Sequence, residues 1–87
     1  MPEFQYDLRK SSSNHRKHGI DFEKAQLLWD DTGLVVVATR SDDEPRSLVI
    51  GKINDQHWSA IVTDRDGEIR IISVRRSRLL EIELYES

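Results

Sequence analysis

Apolar positions along this chain change from a helical to a strand period near residue 34. Before that point, Phe22, Ala25, Leu28 and Trp29 recur every three or four residues, which is the spacing of a helix with one buried face. After it, apolar side chains come in short runs or alternate with polar ones, as they do in strands. Because the links between these runs are short, we expect an antiparallel meander. Its four predicted strands are residues 34–38, 46–53, 57–63 and 68–76, with a polar loop at 40–45.

A first strand and a polar helix are predicted ahead of that amphipathic helix. Phe4 and Tyr6 lie on one side of a short alternating segment, which we expect to join an edge of the sheet. Residues 8–18 are almost entirely polar, but Asp7 before them and Gly19 after them are favourable capping residues for a helix. This helix would present a basic face made of residues from successive turns, namely Lys10, Asn14, Lys17 and His18.

The chain closes with a predicted amphipathic helix at residues 77–85, whose inward side would carry Leu80, Leu84 and Ile82. The order of elements is therefore a strand, two helices, a four-stranded meander and a last helix. Helices and strands that occupy separate parts of a chain predict an α+β fold. A length of 87 residues allows one small core, so we interpret residues 1–87 as a single domain.

Composition and charge limit the classes of function. The absence of cysteine excludes disulfides and thiolate metal sites. No apolar run approaches the roughly 20 residues of a membrane span and no signal peptide is present, so we expect a cytoplasmic location and no membrane partner. A net charge of −3 argues against an extended nucleic-acid surface. Basic pairs still allow a local anion site, and they occur at Arg9-Lys10, Arg16-Lys17 and Arg75-Arg76.

The last strand of the meander, residues 68–76, is the stretch most informative about function. It delivers Arg70 from its middle and Arg75 and Arg76 from its end, and a strand holds such side chains more rigidly than a loop. Guanidinium groups bind phosphate or carboxylate through a planar fork of donors. The alternative is that these arginines are solvated or form weak surface ion pairs with nearby acidic residues, namely Asp64, Asp66 and Glu68.

Alternation along this strand also predicts which side chains share a face of the sheet. Ser73 would share one face with Ile69 and Ile71. Val74 would lie on the other face, together with Arg70.

The candidate chemistry is that of acids, bases and cations. The three histidines, His15, His18 and His57, are not part of a metal-binding motif, so we expect neither a metal nor a cofactor. A set of such side chains can cleave RNA: a base takes the proton of the attacking 2′-OH, an acid protonates the leaving 5′ oxygen, and cations neutralise the phosphate. His18 could act as base or acid, because imidazole changes charge near neutral pH. The candidates are Lys17, His18, Arg70, Arg75, Arg76, Glu81 and Tyr85.

Two long motifs point to a known family. The segment from Phe4 to Ala25 reads Phe-x-Tyr-Asp-x-x-Lys-x-x-x-Asn-x-x-Lys-His-Gly-Ile-x-Phe-x-x-Ala and resembles the opening signature of the BrnT family, toxins of type II toxin–antitoxin pairs. Arg46-x-x-x-Ile-Gly resembles that family's arginine-containing strand. Arg70-Ile-Ile-Ser-x-Arg-Arg, followed by Glu81 and Tyr85, resembles its closing signature. The matches run in order over nearly the whole chain.

This resemblance implies a RelE-like ribonuclease fold, metal-independent RNA cleavage and arrest of translation. It implies a hetero-oligomer with a cognate BrnA-like antitoxin, which would also supply the contact with DNA. Carried over by position, the expected catalytic residues are His18, Lys17, Arg70, Arg75, Glu81 and Tyr85. The expected RNA-binding residues are Lys10, Arg46 and Arg76. The mechanism requires that Arg70 and Arg75 share a pocket with Lys17 and His18.

The chain departs from the family pattern at three positions. Tyr6 stands where the family often has Trp, Leu8 where it often has Pro, and Val62 where a His often precedes the residue matched by Thr63. A second hypothesis is therefore a binding module of the same fold that pairs with an antitoxin without cleaving RNA. A third is a small interaction domain whose arginines only form ion pairs.

Overall fold

A five-stranded sheet forms the centre of the fold. The computed structural model describes residues 2–39 and 44–87, so residues 40–43 of the predicted polar loop lie outside the described part of the chain. The spatial order is β1-β5-β4-β3-β2, with consecutive antiparallel pairing from β2 to β5 and a parallel pair between β1 and β5. The predicted meander and the edge position of the first strand are confirmed. The strands are β1 (Phe4–Gln5), β2 (Val35–Thr39), β3 (Arg46–Ile53), β4 (Gln56–Arg65) and β5 (Glu68–Arg76).

Three α-helices accompany the sheet in the described residues, which confirms the α+β class. They are α1 (Leu8–His18), α2 (Phe22–Ala25) and α3 (Leu79–Glu86). The Asp7 carboxylate accepts the first backbone N–H groups of α1, and Gly19 ends the helix in the left-handed conformation, as the capping pattern predicts. The amphipathic helix predicted at residues 22–30 is α2 for its first turn and continues as a 3₁₀ helix over Gln26–Asp30.

The hydrophobic core lies on one face of the sheet. Phe22, Ala25 and Leu28 are all fully buried against the strands, as their helical spacing predicts. The ring of Trp29 packs edge-on against Phe4 at 4.8 Å, which ties the helical segment to the first strand. The strand residues of this core are Val49, Ile53, Trp58, Ala60, Val62, Ile71 and Val74.

Asn14 joins α1 to the edge of β5. Its side-chain amide donates to the backbone oxygens of Val74 (2.9 Å) and Ile20 (2.8 Å), and its Oδ1 accepts the Val74 N–H at 3.1 Å. β1 pairs only with Ile69 and Arg70, so beyond them this edge of β5 needs other partners. The predicted basic face of α1 is therefore wrong in one respect: Asn14 is only 6% exposed and belongs to the interior.

β5 contains a bulge at Ile72. Ile61 pairs with Ser73 and the next residue, Val62, pairs with Ile71, so Ile72 is the extra residue. The predicted alternation is wrong beyond this point, because Val74 is buried in the core together with Ile71. Ser73 pairs with Ile61 and Arg75 with Ser59, which places both on the face opposite the core.

α3 lies on that opposite face, and its packing contradicts the predicted orientation. Leu80 is 78% exposed and Leu84 is 45% exposed, so the expectation that they point inward is wrong. No residue of α3 is buried. Ile82, the third residue of that expectation, is half-buried. The strands on this face present Ser59 and Arg75 beside the fully buried Ile50, and the helix turns Glu81 toward them while its leucines stay largely in solvent.

Candidate functional site

A bidentate ion pair joins β5 to α3. Both terminal nitrogens of Arg75 donate to Glu81, Nη1 to Oε1 at 2.8 Å and Nη2 to Oε2 at 2.7 Å. The same carboxylate accepts Ser59 Oγ at 2.9 Å and the backbone N–H of Arg78 at 2.8 Å. Four donors thus converge on one half-enclosed carboxylate, whose side chain is 14% exposed.

This arrangement determines the charge state of Glu81. The hydrogen bonds from Arg75 are the largest cause and, with those from Arg78 and Ser59, they outweigh partial burial and lower the pKa of Glu81 to about 2. Glu81 is therefore ionised near neutral pH and has no proton to give. Because both of its oxygens already accept hydrogen bonds, it acts in this arrangement as the partner of Arg75.

Tyr85 lies one helical turn further along α3 and is also engaged. Its hydroxyl donates to Asp31 Oδ2 at 2.7 Å, and that oxygen also accepts the Lys52 backbone N–H at 2.9 Å. The hydrogen bond to Asp31 is the main cause that raises the pKa of Tyr85 to about 12. Burial alone would raise the pKa of Asp31, but the hydrogen bonds from Tyr85, Gly33 and Lys52 lower it overall. Tyr85 is accordingly an un-ionised hydrogen-bond donor at neutral pH.

The C-terminal end of α3 makes a further contact with the β3–β4 hairpin. His57 Nε2 lies 2.8 Å from the Glu86 carboxylate, and Lys52 Nζ lies 3.9 Å from it. The ring of His57 packs edge-on against Tyr85 at 5.2 Å. From the sequence alone, His57 has no role beyond that of a histidine outside any metal motif, whereas in the structure its side chain holds the end of α3.

The basic residues of α1 line a shallow pocket against β5. The pocket has a volume of about 200 Å³, and Lys10, Lys17 and His18 are its cationic or titratable members. All three side chains are exposed, so each can reach a bound molecule. The remaining described lining residues are Ser13, Asn14, Ile72 and Ser73.

The structure places the two predicted halves of the site next to each other along β5 without merging them. Arg70, Arg75, Glu81 and Tyr85 are not among the described residues that line the α1 pocket. Ser73 belongs to the pocket and stands two residues from Arg75 on the same face of the sheet. Two strand residues span about 7 Å, roughly the width of one nucleotide step.

Arg70 and Arg46 lie at the other end of the same sheet face. Each pairs across its strand with Thr63, which puts the two arginine backbones about 10 Å apart on either side of it. Arg70 donates to Gln5 Oε1 at 3.1 Å. The Arg46 Nε atom is buried and has no hydrogen-bond acceptor among the described residues.

Arg76 points to the core side of β5, where its guanidinium lies 5.4 Å from the centre of the Trp58 ring. The arginines of β5 therefore do not behave as a group. Arg75 pairs with Glu81 on α3, and not with the acidic residues adjacent to the strand that the ion-pair hypothesis named.

Several residues of the site could not be found from the sequence. Ser59 is 22 positions from Glu81, and Asp31 is 54 positions from Tyr85. No motif or periodicity links such positions, because the contacts depend on how α3 crosses the sheet. Ser73 stands within the closing motif, but its place beside the α1 pocket depends on the bulge at Ile72.

Within residues 2–39 and 44–87, no three His, Cys, Asp or Glu side chains lie together in a way that could hold a metal ion. No helix there combines the length and apolar character needed to cross a membrane.

Comparison with known families agrees with the motifs. The class that matches is the ribonuclease toxins of type II toxin–antitoxin systems, and the family is described as the ribonuclease toxin BrnT. The match covers residues 6–81, and the chain therefore belongs to the BrnT family. Membership of this class implies an antitoxin partner. No curated protein matches the chain significantly.

Proposed function

We propose that this chain is a metal-independent endoribonuclease of RelE-like fold that cleaves RNA, arrests translation and is neutralised by a cognate BrnA-like antitoxin. The observation that carries the proposal is the position of Ser73, which joins the Lys17–His18 pocket to Arg75 on one strand face. A phosphodiester bound there would meet cations from both sides.

The chemistry needs three functions, and the chain has a residue for each. The exposed imidazole of His18 would transfer a proton, either from the attacking 2′-OH or to the leaving 5′ oxygen. Lys17 and Arg75 would neutralise the charge that develops on phosphorus. The products would be a 2′,3′-cyclic phosphate and a free 5′-OH.

The remaining predicted residues would bind or position. Arg70 and Arg46 would bind the RNA backbone further along the sheet face. Lys10 would bind it at the α1 pocket. In the RNA-free chain, Glu81 would hold Arg75 in place, and Tyr85 would fix α3 through Asp31. Neither residue would transfer protons at neutral pH. Arg76, stacked near Trp58, would contact RNA only beyond the reacting phosphate.

The partner would complete the system. An antitoxin that carries a DNA-binding motif would neutralise the toxin and bring the complex to DNA, so this chain itself needs no DNA surface. The net charge of −3 supports that division of roles. We expect a cytoplasmic hetero-oligomer.

The test is cleavage of total RNA by the purified chain in the presence of EDTA. Arg75→Ala should lower the cleavage rate by about 100-fold or more, since it removes a charge partner of the transition state. His18→Ala should lower it by about 100-fold or more, through loss of proton transfer. Arg9→Ala is the matched control, because Arg9 is an exposed cation of α1 that does not line the pocket. Cleavage that needs added metal, or that survives both substitutions, would contradict the mechanism.

The second candidate is a binding module without catalysis, and Val62 favours it. Position 62, where the family often has histidine, holds a valine that is buried in the core, so it offers no group for proton transfer. A soluble wild-type chain that allows normal growth when expressed alone, yet forms a stable complex with its antitoxin, would support this candidate over the first.

A further inference from the structure

We propose that α3 is a gate over Arg75, and that the Glu81 carboxylate occupies the position that an RNA phosphate takes when the gate opens. The inference rests on the proposed function in one respect, which is that RNA is the ligand. The gate goes beyond the proposed function, because it means that the structure shows the site in a closed state.

The contacts of Glu81 are those of a bound oxyanion. Arg75 binds it through two parallel hydrogen bonds, with nitrogen–oxygen distances of 2.7 and 2.8 Å. Arginine binds either a carboxylate or a phosphate in this geometry. Ser59 Oγ adds a donor from the neighbouring strand. Arg75 and Ser59 are directly paired across β4 and β5, so both donors belong to the rigid sheet and would remain if α3 moved.

The attachment of α3 favours movement. The helix buries none of its residues, and Leu79 (71%) and Leu80 (78%) are largely in solvent. Its hydrogen bonds to the sheet are made by Glu81 and Glu86, and Tyr85 adds one to Asp31 outside the sheet. The sheet face beside Glu81 does contain the fully buried Ile50, but no residue of the helix itself is buried, so opening costs little burial on the side of the helix.

Closing of the gate controls whether Arg75 is available to bind RNA. While Glu81 is paired with it, the guanidinium is neutralised and its two terminal nitrogens are occupied. A phosphate arriving beside Ser73 would compete with Glu81 for the same donors. RNA binding therefore releases α3, because the phosphate replaces the Glu81 carboxylate on Arg75.

The first experiment measures the affinity for a short 2′-O-methyl RNA oligonucleotide, which lacks the 2′-OH and cannot be cleaved. Glu81→Gln should bind it about tenfold more tightly than the wild type, because a neutral amide competes poorly for Arg75. Glu83→Gln is the matched control, since Glu83 is an exposed acid on the same helix and its loss changes the net charge equally. The gain should vanish in the Glu81→Gln, Arg75→Ala double variant.

Two results of that experiment would overturn the gate. One is equal affinity of the Glu81→Gln and Glu83→Gln variants, and the other is a gain that persists without Arg75. Cleavage of unmodified RNA is measured in parallel and judged separately. A chain that passes the binding test but does not cleave RNA keeps the gate and loses the ribonuclease proposal.

The second experiment uses the wild type, so it does not depend on how the variants fold. Hydrogen exchange of the α3 amides is followed with and without the same oligonucleotide. The gate requires faster exchange in Leu79–Glu86 when RNA is bound, while exchange in α1 stays unchanged or slows. Slower or unchanged exchange in α3 at saturating RNA would refute it.

Discussion

Among the described residues, one polar side chain of α1 and one of α3 form hydrogen bonds with β5, and these two anchors differ in kind. Asn14 of α1 is neutral and 6% exposed, and it bonds to the backbone of Val74. Glu81 of α3 is charged, and it bonds to the side chain of Arg75. An amide buried against backbone completes the interior and does not respond to pH or to competing anions. A carboxylate on an arginine can be replaced by another anion, so the difference separates a structural helix from a regulatory one.

The largest expected effect is that of removing the neutral anchor. Asn14→Ala should lower the free energy of unfolding by about 3 kcal/mol, because it leaves the Val74 N–H and two backbone oxygens without partners in the interior. Denaturation in urea measures the change. Ser12→Ala, an exposed position of the same helix, should cost less than about 0.5 kcal/mol. Equal effects of the two substitutions would mean that Asn14 is not an anchor.

The charged anchor, Glu81, should make the free energy of unfolding depend on pH. Glu81 has a pKa of about 2 in the folded chain against its usual 4.5, so the unfolded chain takes up the proton first as the pH falls. The stabilisation is therefore complete above pH 4.5 and is lost as the pH falls toward 2. Glu81→Gln should cost about 1–2 kcal/mol at neutral pH and flatten this acid-side loss.

Unfolding in urea at several pH values from neutral to acid tests that expectation. Glu83→Gln serves again as the control for net charge, and its pH profile should follow that of the wild type. If the wild-type and Glu81→Gln profiles run parallel down to pH 2, the ion pair contributes nothing to the attachment of α3.

The smallest expected effect concerns the leucines of α3. Leu80→Ser should change the free energy of unfolding by less than about 0.5 kcal/mol, because this side chain is already 78% exposed. Leu28→Ala, at a fully buried position, should cost about 3 kcal/mol. Thermal or urea unfolding compares the two, and a large loss in Leu80→Ser would show that α3 packs through its apolar side after all.

Periodicity predicted the parts of this fold that depend on neighbouring residues. The spacing of Phe22, Ala25 and Leu28 reported the core side of its helix correctly, because burial repeats with the helical turn. Asp7 and Gly19 correctly predicted the two ends of α1, because helix capping depends only on residues next to each end. Strand order followed from short links.

The parts that failed depend on contacts between distant positions. Leucine spacing in the last helix indicated an inward apolar side, but the strands beneath it offer Ser59 and Arg75, and the helix turns Glu81 toward them. Asn14 looked like one more polar residue of a polar helix, although its partner is 60 positions away. The single shared site stays a prediction: Lys17 and His18 line a pocket with Ser73, and Arg75 stands two residues further along the strand.

The bulge at Ile72 explains a detail of the closing motif. Arg75 lies five positions after Arg70, and in an unbroken strand such an odd offset would put the two side chains on opposite sides of the sheet. One extra residue restores an even count of pleats, so both guanidiniums lie on the same surface. The motif thus conceals a change of parity, and any alignment of this strand that ignores Ile72 would assign every side chain after it to the wrong side.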